Sequence, residues 1–169
     1  AHASILEGAR LSDAKLIFFK HNDLIDLELK LKLIKDKPNT LVCVESIYST
    51  HGNKAPLVDI ARLTKTYKAK LLVDEAHSAL ISGSHGQGMC EEAGILSQVD
   101  YLILTFSKAF GAIGGALIAN KDVCNYVNFH AKSRMFSCAL DPAVTAGTIA
   151  AVKLSQTSEG KKQREKLKQ

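Results

Sequence analysis

The 169-residue chain lacks the features that identify several broad classes of protein. It has no apolar run near the ~18–20 residues that a membrane-spanning helix needs. Its four cysteines form no C-x-x-C pair and lie beside no histidine cluster, so a zinc site is not expected. With 46% apolar and 23% charged residues, the chain can nevertheless build the core of one folded domain, and a disordered chain is excluded.

Outside the last nine residues the sequence has almost no excess of positive over negative charge. The net charge is +5, but residues 161–169 contain five basic residues against one glutamate, which leaves about +1 for the rest of the chain. A basic face for nucleic acid is therefore not predicted. We interpret residues 161–169 as a basic helical tail that is solvated and frays at its end.

Proline is rare as well, with three in the whole chain, and no repeat or Pro/Gly/Ser-rich linker divides the sequence. Residues 1–10 have helical character from the first position, and a helical pattern at residues 142–154 continues into the basic tail. We therefore expect the core of a larger subunit. The scattered cysteines and the lack of a recognisable signal peptide lead us to expect a reducing, cytoplasmic location.

Short apolar runs alternate with segments of helical pattern. Strands are predicted at residues 15–20, 40–45, 70–74, 99–105 and 115–119, and helices at 24–34 and 56–67. Asn22 or Asp23 is expected to cap the first of these helices. The runs show no strict alternation, which is typical of strands buried on both faces of a mostly parallel sheet, so we predict an α/β fold, a three-layer α-β-α sandwich. Only nine residues separate Thr105 from Gly115, too few for a parallel crossover, so the last strand is expected to be antiparallel.

The segment Val-Asp-Glu-Ala-His-Ser at residues 73–78 directly follows a predicted buried strand. Ligands of open α/β sheets bind beyond the carboxyl ends of the strands, so Asp74 and His77 lie where a site is expected. An aspartate that caps a turn, next to a surface histidine, is the structural alternative. The string Asp-Glu-Ala-His also fits a helicase box, but a helicase needs a G-x-x-x-x-G-K-[ST] phosphate loop, and this sequence contains none.

A second candidate segment, TFSKAFGAIGG at residues 105–115, follows another predicted strand. Lys108 lies there between hydroxyl and aromatic residues. We expect apolar neighbours to disfavour its ammonium form, which makes the amine a nucleophile toward an aldehyde. Thr105 and Ser107 offer hydroxyls to a phosphate, and the glycines let the backbone approach a flat ligand closely. A lysine in a tight turn is the alternative interpretation.

An aspartate at one strand end and a lysine at another are the groups that pyridoxal phosphate requires. The lysine forms a Schiff base with this cofactor, and the carboxylate keeps the pyridine nitrogen protonated so that the ring accepts electrons. The two segments together therefore predict a pyridoxal phosphate enzyme.

Five segments of the chain resemble the α-oxoamine synthase family of fold-type-I pyridoxal phosphate enzymes. They are HASILEGARLS, FFKHNDL, VESIYSTHGNKAPL, VDEAHSALISGSHGQGMCEEAG and TFSKAFGAIGG. They follow the family's order at close to its spacing over roughly residues 1–150. The resemblance implies the major domain of fold-type-I transferases, with residues 1–160 as the core of the cofactor-binding large domain and residues 161–169 as the tail. The family's upstream glycine-containing loop and its C-terminal small domain have no counterpart in this sequence.

The resemblance also implies roles for individual residues. Lys108 matches the lysine that binds the cofactor, Asp74 the carboxylate that pairs with the pyridine nitrogen, and His77 the histidine near the phenolic oxygen. His2 matches the histidine that stacks on the ring, and Ser49 matches a serine that lies against the cofactor. Lys108, Asp74, His77 and His2 are thus the predicted catalytic residues.

Three further hydroxyl residues are implied to bind the phosphate of the cofactor. Thr105 and Ser107 fall at or next to the family's phosphate-binding hydroxyls. Ser137 lies in the segment that reaches the phosphate of the neighbouring subunit, although Cys138 occupies a position where Ser or Thr is common. The family's M-D-G-D motif is replaced here by Thr-His-Gly-Asn at residues 50–53, which alters the expected substrate side of the site.

The implied activity is the condensation of an amino acid with an acyl thioester to an α-amino ketone, usually with decarboxylation. The family is biosynthetic and homodimeric, with the active site shared between subunits. Two alternatives remain open. Another fold-type-I enzyme, such as an aminotransferase or an aldolase, uses the same aspartate and lysine but needs no acyl thioester. The second alternative is that the chain is a truncated core or a partner subunit and has no activity by itself.

Overall fold

The strands and helices follow one another largely as the sequence predicts. The computed structural model describes residues 1–168. The strands are β1 (Leu41–Glu45), β2 (Lys70–Asp74), β3 (Tyr101–Thr105) and β4 (Gly115–Ile118). The helices are α1 (Ala3–Leu11), α2 (Leu24–Leu33), α3 (Leu57–Thr66), α4 (Met89–Glu92), α5 (Lys121–His130), α6 (Lys132–Met135), α7 (Pro142–Ser155) and α8 (Ser158–Leu167), with a 3-10 turn at Leu96–Gln98.

The four strands form one sheet in the order β1-β2-β3-β4. β1, β2 and β3 are parallel, and β4 pairs with β3 in the antiparallel sense. This arrangement confirms the α/β class, the mostly parallel sheet and the single antiparallel strand. In the parallel register Glu45 pairs with Asp74, and Asp74 pairs with Ile103. The carboxyl ends of β1, β2 and β3 therefore meet at one edge of the sheet.

Side-chain caps explain where the longer helices begin. The Asp23 carboxylate accepts a hydrogen bond from the backbone N–H of Asp26, so Asp23 rather than Asn22 caps α2. Asp141 accepts from two backbone N–H groups at the start of α7, where Pro142 occupies the first turn. These caps satisfy donors that the first helical turn leaves free. The helices predicted at 24–34 and 142–154 are confirmed to within one residue.

The core lies between the sheet and the helices that pack on it. α2 buries Leu27 and Leu31, which are four residues apart and so share one face of the helix. α3 packs against β2 and buries Ile60 and Ala61. The buried apolar side chains of the strands all lie on one face of the sheet: Val42, Val44, Leu71, Val73 and Leu102. On the other face Cys43 and Leu72 are only half-buried, so the apolar burial expected on both faces is found on one face of this chain.

The strand predicted at residues 15–20 is wrong. Those residues run without strand or helix into α2, and the backbone N–H of Lys20 donates to the Asp26 carboxylate rather than to a neighbouring strand. Phe19 packs against the core, whereas Phe18 is 65% exposed. An apolar run indicates which side chains seek burial, but it does not supply the partner strand that a sheet requires.

The expected solvation of residues 161–169 is wrong at Arg164. This residue of α8 is only 7% exposed, and its guanidinium donates to the carbonyl oxygens of Ser155 at 2.7 Å and Ser84 at 2.6 Å. Gln169, the last residue of the predicted tail, lies outside the described residues. The tail is thus fixed to the body of the fold by one buried cation. None of the helices in residues 1–168 is long and apolar enough to cross a membrane.

Candidate active site

A cavity of about 110 Å³ lies at the carboxyl ends of β1, β2 and β3. Its lining consists of His2, Ser4, Glu45, Asp74, Ala76, His77, Thr105 and Lys108. Five of the residues predicted from the sequence are therefore brought together here from distant parts of the chain. Three of the lining residues are the last residues of their strands, which places the cavity where parallel α/β sheets bind ligands.

Asp74 ends β2 and is 8% exposed. One carboxylate oxygen accepts the backbone N–H of Ala76 at 2.9 Å, which fixes the side chain. The backbone carbonyl oxygen of Asp74 accepts the backbone N–H of Ser46 at 2.9 Å. Within residues 1–168 the Asp74 carboxylate forms no ion pair, although an ionised group buried without a cation is unfavourable. The cavity therefore suits a cationic group, such as a protonated ring nitrogen, next to this carboxylate.

His77 lies on the turn that follows β2. The turn is closed by backbone hydrogen bonds from Ser78 and Ala79 to the carbonyl oxygen of Glu75. The His77 side chain is half-buried and lines the cavity, and its ring forms no hydrogen bond to another residue in the described part of the chain. Both ring nitrogens can therefore bond to a ligand.

Lys108 lies on the turn between β3 and β4. This turn is held by hydrogen bonds from Phe106 N–H to the Gly114 carbonyl oxygen and from Gly111 N–H to that of Lys108. Gly115 is required where β4 begins, because a Cβ there would lie 2.6 Å from the carbonyl oxygen of Leu104. Lys108 lines the cavity but is exposed, so its predicted enclosure by apolar groups is wrong for this chain by itself.

Thr105 and Ser107 lie beside Lys108. Their hydroxyl oxygens are 3.1 Å apart, and Thr105 lines the cavity whereas Ser107 is exposed next to it. On another wall, His2 caps α1: its Nδ1 accepts the backbone N–H of Ser4 at 3.3 Å and lies 2.8 Å from the Ser4 hydroxyl. The cap fixes the orientation of the imidazole ring at the cavity.

Besides Ser107, two of the predicted residues lie outside the cavity lining. Ser49 is exposed on the loop after β1, and its backbone N–H donates to the Glu45 carboxylate at 3.3 Å. Ser137 is exposed after α6, and its hydroxyl donates to the carbonyl oxygen of Arg134. The role of Ser137 toward a neighbouring subunit remains a prediction.

Sequence reasoning missed Glu45 and Ser4. Glu45 ends β1, is 4% exposed and pairs with Asp74 in the strand register, so two carboxylates line the cavity side by side. Burial, and then the charge of Glu45, raise the pKa of Tyr48. The signal for Glu45 was present, because a carboxylate that ends a buried strand satisfies the same rule as Asp74. The cap that involves Ser4 has no comparable signal.

The cysteines next to this region are held in the thiol form. Burial raises the pKa of Cys43 on β1 to about 11. Burial and the negative charge of Glu75 raise the pKa of Cys90 on α4. Since a thiolate is the reactive form of cysteine, neither residue is suited to nucleophilic catalysis at neutral pH.

A larger and more open cavity of about 390 Å³ is lined by residues that offer little chemistry: Leu96, Val99, Asp100, Leu102, Ile118, Ala119 and Asn120. Its carboxylate, Asp100, already accepts hydrogen bonds from the Lys70 ammonium and from the backbone N–H of Leu71. The smaller cavity, with its lysine, histidines and buried carboxylates, is the candidate active site.

Comparison with known proteins finds similarity along the whole chain. The family model of aminotransferases of class I and II matches residues 1–169. An 8-amino-7-oxononanoate synthase of Thermosipho melanesiensis is 42% identical over 158 residues, which cover 94% of this chain and 40% of that protein. A serine palmitoyltransferase of Caulobacter vibrioides is 42% identical over 154 residues, which cover 90% of this chain and 38% of that protein.

The fold is also found among solved structures. A serine palmitoyltransferase with a pyridoxal phosphate internal aldimine superposes with a TM-score of 0.92 at 34% identity, covering 99% of this chain and 42% of that one. The chain thus spans about two fifths of the length of these relatives.

Proposed function

We propose that this chain, which belongs to the aminotransferase class I and II family, forms the cofactor-binding core of a pyridoxal-phosphate-dependent acyltransferase of the α-oxoamine synthase type. In this proposal residues 1–160 are the core of the large domain and residues 161–169 its basic tail. One observation supports the proposal most strongly. The buried carboxylate of Asp74 lines the same small cavity as the amine of Lys108.

The residues around the cavity fit pyridoxal phosphate. Asp74 would hold the protonated ring nitrogen, and Lys108 would bind the aldehyde carbon. The hydroxyls of Thr105 and Ser107 would bind the phosphate, which needs hydrogen-bond donors. Ser49 and Ser137 are further proposed contacts from the loops after β1 and α6. When bound, the cofactor supplies an electron sink for the negative charge that develops on the amino acid.

Each of the catalytic side chains has a defined task in this proposal. Asp74 keeps a proton on the ring nitrogen, because its carboxylate is fixed by Ala76 and has no ion-pair partner within residues 1–168. Lys108, once the amino acid has displaced it from the cofactor, would remove the α-proton of the amino acid. His77 donates a hydrogen bond to the phenolic oxygen, and His2 covers one face of the ring and excludes water.

We propose an amino acid and an acyl thioester as the substrates and an α-amino ketone as the product, usually with loss of carbon dioxide. The names of the relatives support this class: one is a synthase of an amino-oxo acid, and another transfers an acyl group to serine. With the electron sink that the cofactor would supply, the α-carbon of the amino acid would form a bond to the acyl carbon as the thiol carrier leaves. An aminotransferase or an aldolase would turn over amino acids without any acyl thioester, so dependence on the thioester decides between them.

The cofactor assignment can be tested by absorbance and mass spectrometry. The full-length protein is mixed with pyridoxal phosphate, and its visible band is recorded before and after borohydride reduction. We expect reduction to remove the band and to fix the cofactor on a peptide that contains Lys108. After removal of unbound cofactor, the Lys108→Ala variant should yield no cofactor-bearing peptide, whereas Lys121→Ala, on the exposed start of α5, should behave as the wild type. Reduced cofactor found on a wild-type peptide that lacks Lys108 would contradict the assignment.

We further propose that the enzyme is a cytoplasmic homodimer. Aromatic side chains on α5 and directly after α6 are exposed, namely Tyr126, Phe129 and Phe136. Exposed apolar surface of this kind is typical of protein interfaces. Analytical ultracentrifugation of the full-length protein should give twice the chain mass at micromolar concentration. A monomer with full activity would contradict the dimer proposal.

A further inference from the structure

Glu75 is a buried carboxylate that the proposed mechanism does not use. It follows Asp74 directly and precedes His77 by two residues, and its exposure is 0%. Within residues 1–168 it forms no ion pair with a lysine, arginine or histidine. Burial of an ionised carboxylate is unfavourable unless hydrogen bonds replace its water.

Both carboxylate oxygens of Glu75 accept hydrogen bonds, from the start of α4 and from the turn after β2. Oε1 accepts the backbone N–H of Cys90 at 2.7 Å, and Oε2 accepts the backbone N–H of Met89 at 3.0 Å. Oε2 also accepts the hydroxyl of Ser78. The carboxylate therefore joins the turn after β2 to the first residues of α4.

The same network reaches the backbone of Asp74. The Ser78 hydroxyl, whose proton goes to Glu75, accepts from the Ser46 hydroxyl at 2.6 Å, and the backbone N–H of Ser46 donates to the Asp74 carbonyl oxygen at 2.9 Å. Ser46 and Ser78 are both fully buried. The cavity residues Asp74 and His77 thus lie on a turn whose opposite side is held by the Glu75 carboxylate.

Gly88 shows independently that the chain is built closely around this carboxylate. Its φ is +99°, and a Cβ at this position would lie 2.5 Å from Oε2 of Glu75. The backbone at residue 88 therefore approaches the carboxylate more closely than any other residue type allows.

We propose that Glu75 is a positioning residue that holds Asp74 and His77 in the geometry that pyridoxal phosphate needs. This inference rests on the proposed function. Both oxygens are required as acceptors, because each one faces a backbone N–H. A glutamine would place its NH₂ group against one of these N–H donors and leave that donor unpaired. The substitution Glu75→Gln, which preserves size, should therefore disturb the turn that bears Asp74 and His77.

The test compares Glu75→Gln and Ser78→Ala with the control Glu92→Gln in the full-length protein. Glu92 lies on α4 and is exposed, and its carboxylate contacts only the Lys54 ammonium and the Gly83 N–H within residues 1–168. The same chemical change is thus made nearby without touching the network around Glu75. Pyridoxal phosphate affinity is titrated by visible absorbance, and the pH dependence of that band is recorded at a temperature where circular dichroism shows each variant folded. We expect Glu75→Gln to raise the dissociation constant about ten-fold or more and to shift the pH dependence. Ser78→Ala should have a smaller effect, and Glu92→Gln should have none.

The outcomes distinguish a failure of the proposed function from a failure of the positioning role of Glu75. If wild type and Glu92→Gln fail to bind the cofactor, the proposed function is wrong and this inference falls with it. If Glu75→Gln melts at a lower temperature but keeps the wild-type affinity and pH dependence, Glu75 supports the fold only and the positioning role is refuted. If Glu75→Gln does not fold, Ser78→Ala decides: unchanged affinity in that variant refutes the role, and weakened affinity supports it.

Discussion

The substitution Asp74→Asn should have opposite effects on the stability of the cofactor-free protein and on catalysis. An asparagine can keep the hydrogen bond from the Ala76 N–H, because its carbonyl oxygen replaces the carboxylate oxygen that now accepts it. The side chain should therefore remain in place, and only the negative charge is removed. This separates the electrostatic role of Asp74 from its structural role.

The burial of the Asp74 carboxylate determines the size of both effects of Asp74→Asn, on stability and on rate. Asp74 is 8% exposed and forms no ion pair within residues 1–168, so removing its charge relieves an unfavourable desolvation. We expect the cofactor-free variant to be as stable as the wild type or more stable by about 1 kcal/mol. In the loaded enzyme the variant loses one preorganised charge beside the ring nitrogen. That loss should cost about 3 kcal/mol of transition-state stabilisation, roughly 100-fold or more in rate.

Two measurements on the full-length protein test whether stability is kept and the rate is lowered in Asp74→Asn. Urea unfolding of the cofactor-free protein gives the free energy of unfolding. Exchange of the amino-acid α-proton in D₂O, followed by proton NMR, gives the rate of the step that needs the protonated ring, and it requires no acyl donor. The matched control is Asp100→Asn, since Asp100 pairs with Lys70 outside the candidate site. The control should lose at most about 1 kcal/mol of stability and keep the wild-type exchange rate.

Either of two results would refute the reasoning. Proton exchange at the wild-type rate in Asp74→Asn would show that its charge is not used at the ring nitrogen. A large loss of stability in the cofactor-free variant would show that the carboxylate is needed by the fold itself, contrary to its lack of an ion-pair partner within residues 1–168.

Three other changes have predictable results. Arg164→Ala removes two hydrogen bonds from a buried guanidinium to backbone carbonyls and should lower the free energy of unfolding by about 2–4 kcal/mol in urea, whereas the exposed Lys162→Ala should change it little. Because burial raises the pKa of Cys43 to about 11, iodoacetamide should modify the exposed Cys138 first and leave Cys43 unmodified at neutral pH. Early modification of Cys43 in the folded protein would contradict this prediction. Thr105→Asp places a carboxylate where the phosphate is proposed to bind, so it should weaken pyridoxal phosphate more than about ten-fold but pyridoxal, which lacks the phosphate, much less. Equal weakening of both ligands would place the phosphate elsewhere.

Much of the fold was predictable because local rules determine it. The limits of β2 at residues 70–74 match the prediction, since polar residues bound its apolar run. The antiparallel direction of β4 follows from chain length alone, because nine residues cannot cross over a sheet. The start of α2 follows from the cap at Asp23. Each of these features depends on residues that are close in sequence.

The features that prediction missed depend on distant residues. Arg164 looked like one of several solvated basic residues, and only its contact with the carbonyl oxygen of Ser84, 80 positions away, distinguishes it. Residues 15–20 looked like a strand because the sequence does not reveal whether a partner strand lies beside them. The position of Ser49 outside the cavity lining likewise depends on how the loop after β1 folds back on Glu45.

The candidate site was predictable to the extent that strand ends specify it. Asp74 and Thr105 end their strands, and His77 and Lys108 lie on the turns that follow, so the parallel topology is sufficient to bring them together. The resemblance to a known family added His2, which lies about 70 residues from the nearest of the others. Composition and spacing contain no signal that His2 lies at the cavity.

The distribution of charge around the cavity also bears on which residues would hold each end of the proposed cofactor. The carboxylates Glu45 and Asp74 end neighbouring strands β1 and β2, whereas the β3 side offers Thr105 and Lys108. Pyridoxal phosphate has the complementary polarity, with a protonated nitrogen at one end of the ring and a phosphate dianion attached near the other. Because like charges repel strongly at short range in a buried site, the reverse orientation would place the phosphate against two carboxylates. In the proposed function, the order of the parallel strands would therefore leave Asp74 to hold the ring nitrogen and Thr105 and Lys108 to hold the phosphate and the aldehyde.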